Sequence, residues 1–215
     1  MKTLLGGSVE TVLLIGAHSD DIEIGCGATV RRLLAMNPDL RIHWIVLSGL
    51  EERAEEARRA AARFLEEARE PRVDVEAFVD TLFPYASAMD LKAYFRTLSA
   101  AVRPDLIFTH RREDMHQDHR FVAELTWQSF RDHTILEYEI PKYEGDLGRP
   151  NVFVPLDEHQ AEAKIAALMA SFASQRGKGW YDAETFRGLM RLRGVECQAP
   201  GRYAEAFHCA KMMLI

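Results

Sequence analysis

Six side chains in two short clusters have the types and spacing of a hydrolytic metal site. His18, Asp20 and Asp21 lie within four residues of each other; His116, Asp118 and His119 lie within another four, farther along the 215-residue chain. Imidazole combined with carboxylate suits Zn²⁺ or another divalent first-row metal. A catalytic zinc site uses three protein ligands and leaves one position open to water. Two histidines and one carboxylate supply that number. The remaining Asp and His are then free for the proton transfers that hydrolysis by an activated water requires. Taken singly, neither cluster is diagnostic, because an Asp-Asp pair after a strand ordinarily caps a helix. An HxxH at a helix start is ordinarily a surface or capping pair. The signal lies in finding both at places that a fold would bring together.

The elements around them predict such a fold. Residues 11–17 (TVLLIGA) form a β-branched and aliphatic run suited to a buried parallel strand. Strand-like segments recur at 41–48, 73–79, 105–110 and 134–140. Helical spacing covers 27–36, 51–69, 88–102 and 117–131, with Pro71 and Pro104 as stop signals. Regular alternation with short connections predicts an α/β, Rossmann-like three-layer fold with a mostly parallel sheet. The chain reads as one domain over 1–215, with a core at 1–140 and an appended segment at 141–215. That segment holds a strand at 151–156, a helix at 157–173 and a mixed tail, and it is expected to wall one side of the site. In a doubly wound sheet of order 3-2-1-4-5, strands one and four are neighbours where the order reverses. Ligands bind beyond the strand ends at that point. The segments leaving those two strands are 17–21 and 110–119, which contain both clusters.

Composition excludes several other classes. Apolar residues make up 47% and charged residues 28%, so disorder, collagen-like repeats and a disulfide scaffold do not fit. A net charge of −6 gives no basic field for nucleic acid or anionic lipid. Cys26, Cys197 and Cys209 are odd in number and widely spaced, as expected of free thiols in a reducing cytoplasm. No apolar run approaches the roughly 20 residues of a membrane span. One lysine before a two-leucine patch is too little for a signal peptide. The expectation is a cytoplasmic protein with no nucleic-acid partner and no membrane insertion.

At these residues the chain resembles the PIG-L/LmbE-like deacetylases, zinc-dependent enzymes acting on N-acetylated sugars. The family's AHPDD motif stands here as Ala17-His18-Ser19-Asp20-Asp21, and its HxDH motif as His116-Gln117-Asp118-His119. Weaker likeness runs through Arg53-Ala54-Glu55-Glu56-Ala57, Ser174-Gln175 and Tyr203-Ala204-Glu205-Ala206-Phe207. Serine replaces the usual proline at 19 and isoleucine stands at 22 where many members have glutamate. Asp114 occupies the place where some members carry a tyrosine, so no tyrosine-assisted oxyanion is expected.

The resemblance implies His18, Asp21 and His119 as ligands of one Zn²⁺ per chain, other first-row divalent metals being possible. It implies Asp20 as general base, His116 as general acid or oxyanion partner, and Asp118 as the carboxylate that orients His116. The implied activity is hydrolysis of a linear amide, removing acetyl from an N-acetylated amino sugar or sugar conjugate. The chemistry is coherent: zinc brings the pKa of water to about 7 and, with a protonated His116, stabilises the tetrahedral oxyanion. The alternative is a metal-dependent phosphoesterase on the same scaffold. It would call for a bridging carboxylate and more ligands than the three counted. A non-catalytic binder would not need the base.

Arg53 is a candidate for substrate oxygens, against the plain reading of a solvated face in EERAEEARR. Arg111 and Arg112 are candidates for a substrate phosphate. Trp44, Trp180 and Tyr181 are candidates to stack on a sugar, with core packing as the competing role. Gly25 and Gly27 suit close packing of a helix on the sheet. The Gly25-Cys26-Gly27 turn is half of a dinucleotide fingerprint, but Val30 breaks the pattern. The particular N-acetylated substrate and the oligomeric state, a homo-oligomer included, are not readable from sequence.

Overall fold

The computed structural model describes residues 9–213, and the N-terminal stretch weighed above as a leader lies outside them. Strand β1 (Thr11–Gly16) is flanked by β2 (Arg41–Val46) and β4 (Leu106–His110), both parallel to it. Its side chains alternate between two cores. Val12 and Leu14 join Ile42, Trp44, Val46, Leu106 and Phe108 on one face. Leu13 and Ile15 join Ile45, Leu47 and Ile107 on the other. That two-residue period on a strand buried from both sides is why β1 has no polar residue between Val12 and Ile15.

Helices cover both faces. Helices α1 (Asp21–Met36) and α2 (Glu51–Phe64) put Ile22, Val30, Leu34, Ala57, Ala60 and Phe64 on the first face. Helices α3 (Ala88–Ala101) and α4 (Gln117–Ser129) put Leu91, Phe95, Leu98, Val122 and Leu125 on the second. The chain winds outward from β1 through β2 to β3 (Arg72–Val75), then restarts at β4 and winds the other way to β5 (Thr134–Tyr138). The reversal falls between β1 and β4, as the expected order requires.

The appended segment differs from expectation in one respect. Strand β6 (Val152–Leu156) and helices α5 (Glu158–Ser171) and α6 (Ala183–Glu196) are followed by β7 (Tyr203–His208), which falls in the mixed tail. Strand β7 inserts between β5 and β6, antiparallel to both, and completes a seven-stranded sheet of order β3-β2-β1-β4-β5-β7-β6. Its short YAEAFH pattern has weak strand signals, and partners on both sides set it in place.

Boundaries also shift, and helix α2 ends at Phe64 rather than at 69. Helix α1 begins at Asp21 rather than at 27, with a break at Cys26 (φ −146°, ψ 15°). Strand β3 ends at Val75, so 76–87 is a loop at the carboxyl edge of the sheet.

Candidate active site

The chain leaves β1 through Gly16 and Ala17 and enters α1 at Asp21, with Asp20 at the N-cap. The turn between them carries His18. Beside it, β4 ends at His110, and a loop leads to His116, the N-cap of α4, with Asp118 and His119 in the first turn. Adjacent strand ends therefore bring both clusters together.

Three donor groups face one another. His18 Nδ1 lies 3.1 Å from His119 Nε2 and 3.4 Å from Asp21 Oδ2, and His119 Nε2 lies 3.4 Å from Asp21 Oδ1. Ligands about 2.0–2.1 Å from a tetrahedral centre stand about 3.3 Å apart, so these spacings fit a divalent ion such as Zn²⁺. Three overlapping sets of possible ligands occur among the described residues, His18–His116–His119, Asp21–His110–His119 and His18–Asp80–Asp118. Hydrogen bonding separates them. The lone pair on His110 Nε2 is taken by the Ala17 N–H at 2.9 Å, and His116 Nδ1 accepts the Asp118 N–H at 3.3 Å as a helix cap.

Each imidazole of the triangle is held from behind. His119 Nδ1 is 3.0 Å from Asp114 Oδ2, and His18 Nε2 is 3.2 Å from Asp118 Oδ2 and 2.9 Å from Asp80 Oδ1. A carboxylate on the far nitrogen fixes the tautomer and orientation of a ligating histidine. Asp118 therefore does not take the expected role. Its carboxylate contacts His18 and accepts the N–H groups of Thr81 (2.7 Å) and Phe83 (3.1 Å), rather than turning to His116. The reason is local: the Asp118 side chain projects from α4 toward the 76–87 loop, while its own N–H caps onto His116. Thr81 has φ +66°, the left-handed region that a β-branched residue rarely occupies. Its bond to Asp118 is part of what holds that conformation.

The electrostatics follow the geometry. Burial opposes the charged form of both imidazoles, but Asp21 and the carboxylates behind outweigh it, raising His18 well above the usual range and raising His119. Burial likewise opposes ionisation of Asp21, and His119, His110 and His18 together hold it well below the usual carboxylate value. Asp114 is held low in the same sense, against burial, by His119 and by Lys142, whose Nζ is 3.0 Å away. Burial first, then His119, pushes His110 down to about 4, so its ring is neutral. Burial and the neighbouring imidazoles press His116 below its ordinary value. A carboxylate-rimmed cluster that favours positive charge on its imidazoles is an environment that a cation can occupy in place of those protons.

Asp20 stays outside the triangle. Its Oδ1 is 2.7 Å from Arg53 Nη2, and Arg53 is held in turn by Glu56 (3.2 Å) and by Ser174 (3.1 Å) in the turn after α5. Arg53 is thus not a solvated-face residue: its side chain is 26% exposed and pinned on the site. The Arg53–Glu56–Ser174 chain joins two of the segments whose resemblance was weakest in sequence. His116 sits with its ring centre 4.9 Å from that of His18 and 4.5 Å from that of His119.

The remaining candidates go elsewhere. Trp44 and Tyr181 are core residues, and Trp180 is half-buried with Lys178 over its ring. Arg111 bonds the Asp146 carbonyl, and Arg112 pairs with Glu137 and stacks over Trp127. Asp80, His110 and Lys142 were not singled out from sequence. His110 carried a usable signal as a histidine ending a strand at the switch point, whereas Asp80 lay just past a predicted strand and Lys142 in an unplaced loop. No helix among the described residues is long and apolar enough to cross a membrane.

Residues 13–130 match a family model described as PIG-L, GlcNAc-PI de-N-acetylase. Among solved structures, the chain is similar to N,N'-diacetylchitobiose deacetylase from Pyrococcus horikoshii (19% identity, TM-score 0.66, 94% of this chain and 84% of that one). It is similar to a zinc-inhibited form of teicoplanin deacetylase Orf2 (14%, TM-score 0.68, 93% and 97%). It is also similar to GalB, a 4-carboxy-2-hydroxymuconate hydratase from Pseudomonas putida KT2440 (18%, TM-score 0.74, 96% and 98%). At these identities the likeness shows a shared fold, and one fold can carry different reactions.

Proposed function

The chain belongs to the PIG-L family, described by its GlcNAc-PI de-N-acetylase activity, and from that premise we propose that it is a zinc-dependent hydrolase removing acetyl from an N-acetylated amino sugar or sugar conjugate. The observation that carries this reading is the triangle of His18, Asp21 and His119 donors at 3.1–3.4 Å, with Asp20 and His116 beside it and outside it.

His18 Nδ1, Asp21 and His119 Nε2 are the residues that would hold the ion. When bound, the ion supplies Lewis-acid polarisation and lowers the pKa of a water to about 7. Asp20, fixed by Arg53, accepts the proton of the attacking water. Among the described residues the His116 ring meets the backbone through Nδ1, so Nε2 is available to deliver a proton to the departing nitrogen. The product then leaves as an amine rather than as an amide anion. Asp114 and Asp118 hold the two ligating rings in place, and Arg53 is also the residue best placed to meet substrate oxygens.

A phosphoesterase is not favoured. Two-metal phosphoryl chemistry calls for a carboxylate bridging two ions, and Asp21 Oδ2 already accepts the His18 N–H at 2.6 Å. The hydratase among the structural neighbours makes reaction class worth testing directly. Three unpaired thiols support a reducing, cytoplasmic setting.

The test is acetate release from a panel of N-acetylated amino sugars and their conjugates by protein stripped of metal and reloaded with Zn²⁺ at one equivalent. Zinc-dependent release is the expected result. Full activity after exhaustive chelation, or hydration of unsaturated hydroxy-acids with no acetate released, overturns the proposal.

A further inference from the structure

The break in α1 at Cys26 separates one short turn, carrying Asp21, from the longer helix that follows. A broken helix leaves carbonyls unpaired on one side and N–H groups unpaired on the other. Here both are satisfied from the appended segment. Lys164 Nζ, from α5, donates to the Ile24 carbonyl at 2.5 Å. Glu205, from β7, accepts the Ala28 N–H on Oε1 (3.0 Å) and the Thr29 N–H on Oε2 (2.6 Å). The two side chains also pair with each other, Nζ to Oε1 at 2.5 Å.

Both charges are almost fully enclosed, Lys164 3% and Glu205 4% exposed. A buried ion pair is weak evidence of stabilisation, because a well-packed apolar pair usually does as well. An apolar pair could not cap the two ends of a helix break. The packing at the break is also tight. A Cβ on Gly25 would sit 2.3 Å from the Tyr138 ring, and one on Gly27 would sit 2.5 Å from Phe64. Helix α1 is pressed between β5 and α2 at this point, and only the Gly-Cys-Gly sequence lets it through.

We propose that Glu205 and Lys164 are positioning residues for Asp21: by capping both sides of the break, they set the angle of the turn that aims the Asp21 carboxylate at His18 and His119. Neither touches the triangle. They act on it through the backbone of residues 24–29, and through them the C-terminal segment governs the geometry of a site built by the N-terminal half. This positioning role rests on Asp21 being a metal ligand, so its test is read out on metal and needs no substrate.

The experiment compares Glu205→Gln, Glu205→Asp and Lys164→Met with the unaltered protein. Thermal unfolding of metal-free protein reports fold. Zn²⁺ affinity by chelator competition, and the visible spectrum of the Co²⁺-loaded protein, report the site. The expected result is a folded Glu205→Gln protein that binds Zn²⁺ about 10- to 100-fold more weakly, the range for residues that orient metal ligands, with an altered Co²⁺ spectrum. Glu205→Asp, which keeps the charge at shorter reach, should recover part of the affinity, and Lys164→Met should weaken it in the same direction. If Glu205→Gln fails to fold, Glu205→Asp and Lys164→Met carry the same reading. Wild-type Zn²⁺ affinity and spectrum in the folded variants, whatever their melting temperatures, overturn the proposal and leave the pair a structural one. Asp21→Asn serves as control. If it keeps full Zn²⁺ affinity, the ligand assignment itself has failed, which is a separate outcome.

Discussion

His119 and Asp114 face each other at 3.0 Å, Nδ1 to Oδ2, although five residues and a helix start separate them. The other oxygen of Asp114 accepts the His116 N–H at 2.8 Å, so one carboxylate orients a candidate ligand and the segment bearing the candidate acid. Asp114→Ala should weaken Zn²⁺ binding about 10- to 100-fold with the fold retained. Chelator competition checks it, and unchanged affinity would mean that the ring is held by packing alone.

The two adjacent aspartates should separate cleanly. His119→Ala is expected to lose metal and activity together. Asp20→Asn should keep a full equivalent of zinc and lose most of the rate, because Asp20 pairs with Arg53 and stays outside the triangle. Metal content by atomic absorption beside acetate release decides it. Zinc lost from Asp20→Asn but kept by Asp21→Asn would reverse the two roles.

A base that must be deprotonated and an acid that must be protonated require a bell-shaped pH dependence of kcat/KM. Its limbs are apparent values of a coupled site rather than constants of single residues. His116→Ala should reduce the rate roughly 10²- to 10⁴-fold and flatten the basic limb while zinc stays bound. An intact bell in that variant would place the acid elsewhere.

Away from the site, Glu139 predicts how the fold responds to acid. Burial opposes its charge, but His208, Arg193 and the Gly148 N–H hold its pKa below the ordinary glutamate value. Arg193 meets both of its oxygens at 2.9 Å. A folded-state pKa lower than the unfolded one adds stability that is complete above the unfolded value, near 4.3. It is lost as pH falls through the folded value. Glu139→Gln should therefore lower stability by about 3 kcal/mol at neutral pH, the scale for removing one partner of a buried pair. The gap from wild type should begin to narrow below about pH 4 and go on narrowing as pH falls through the folded value. Denaturant unfolding at pH 7 and pH 3.5 measures both, and a gap of equal size at the two values would contradict the assignment.

Much of this protein was legible along the chain. The runs that become β1, β2 and β4 are largely apolar because a strand buried on both faces leaves few places for polar side chains. Alternation with helices then implies a parallel sheet whose reversal joins the ends of β1 and β4. Both chemical clusters sit at those ends, so their meeting follows from local pattern plus topology. The break in α1 was less legible, because Gly25-Cys26-Gly27 resembles a loop until Tyr138 and Phe64 are in place around it.

What the tertiary structure alone decided is the set of contacts around the site. Asp118 turns to His18 because the 76–87 loop supplies two N–H groups to its carboxylate, and no spacing within HxDH encodes a partner 35 residues upstream. Arg53 lies on Asp20 rather than in water because Glu56 and Ser174 hold it there. Strand β7 enters between β5 and β6, bringing Glu205 under α1, although its own residues scarcely favour a strand. Periodicity and ligand spacing are local properties that a chain carries in its order of residues. Second partners of buried polar groups are long-range, and they exist only once packing excludes the water that would otherwise have satisfied them.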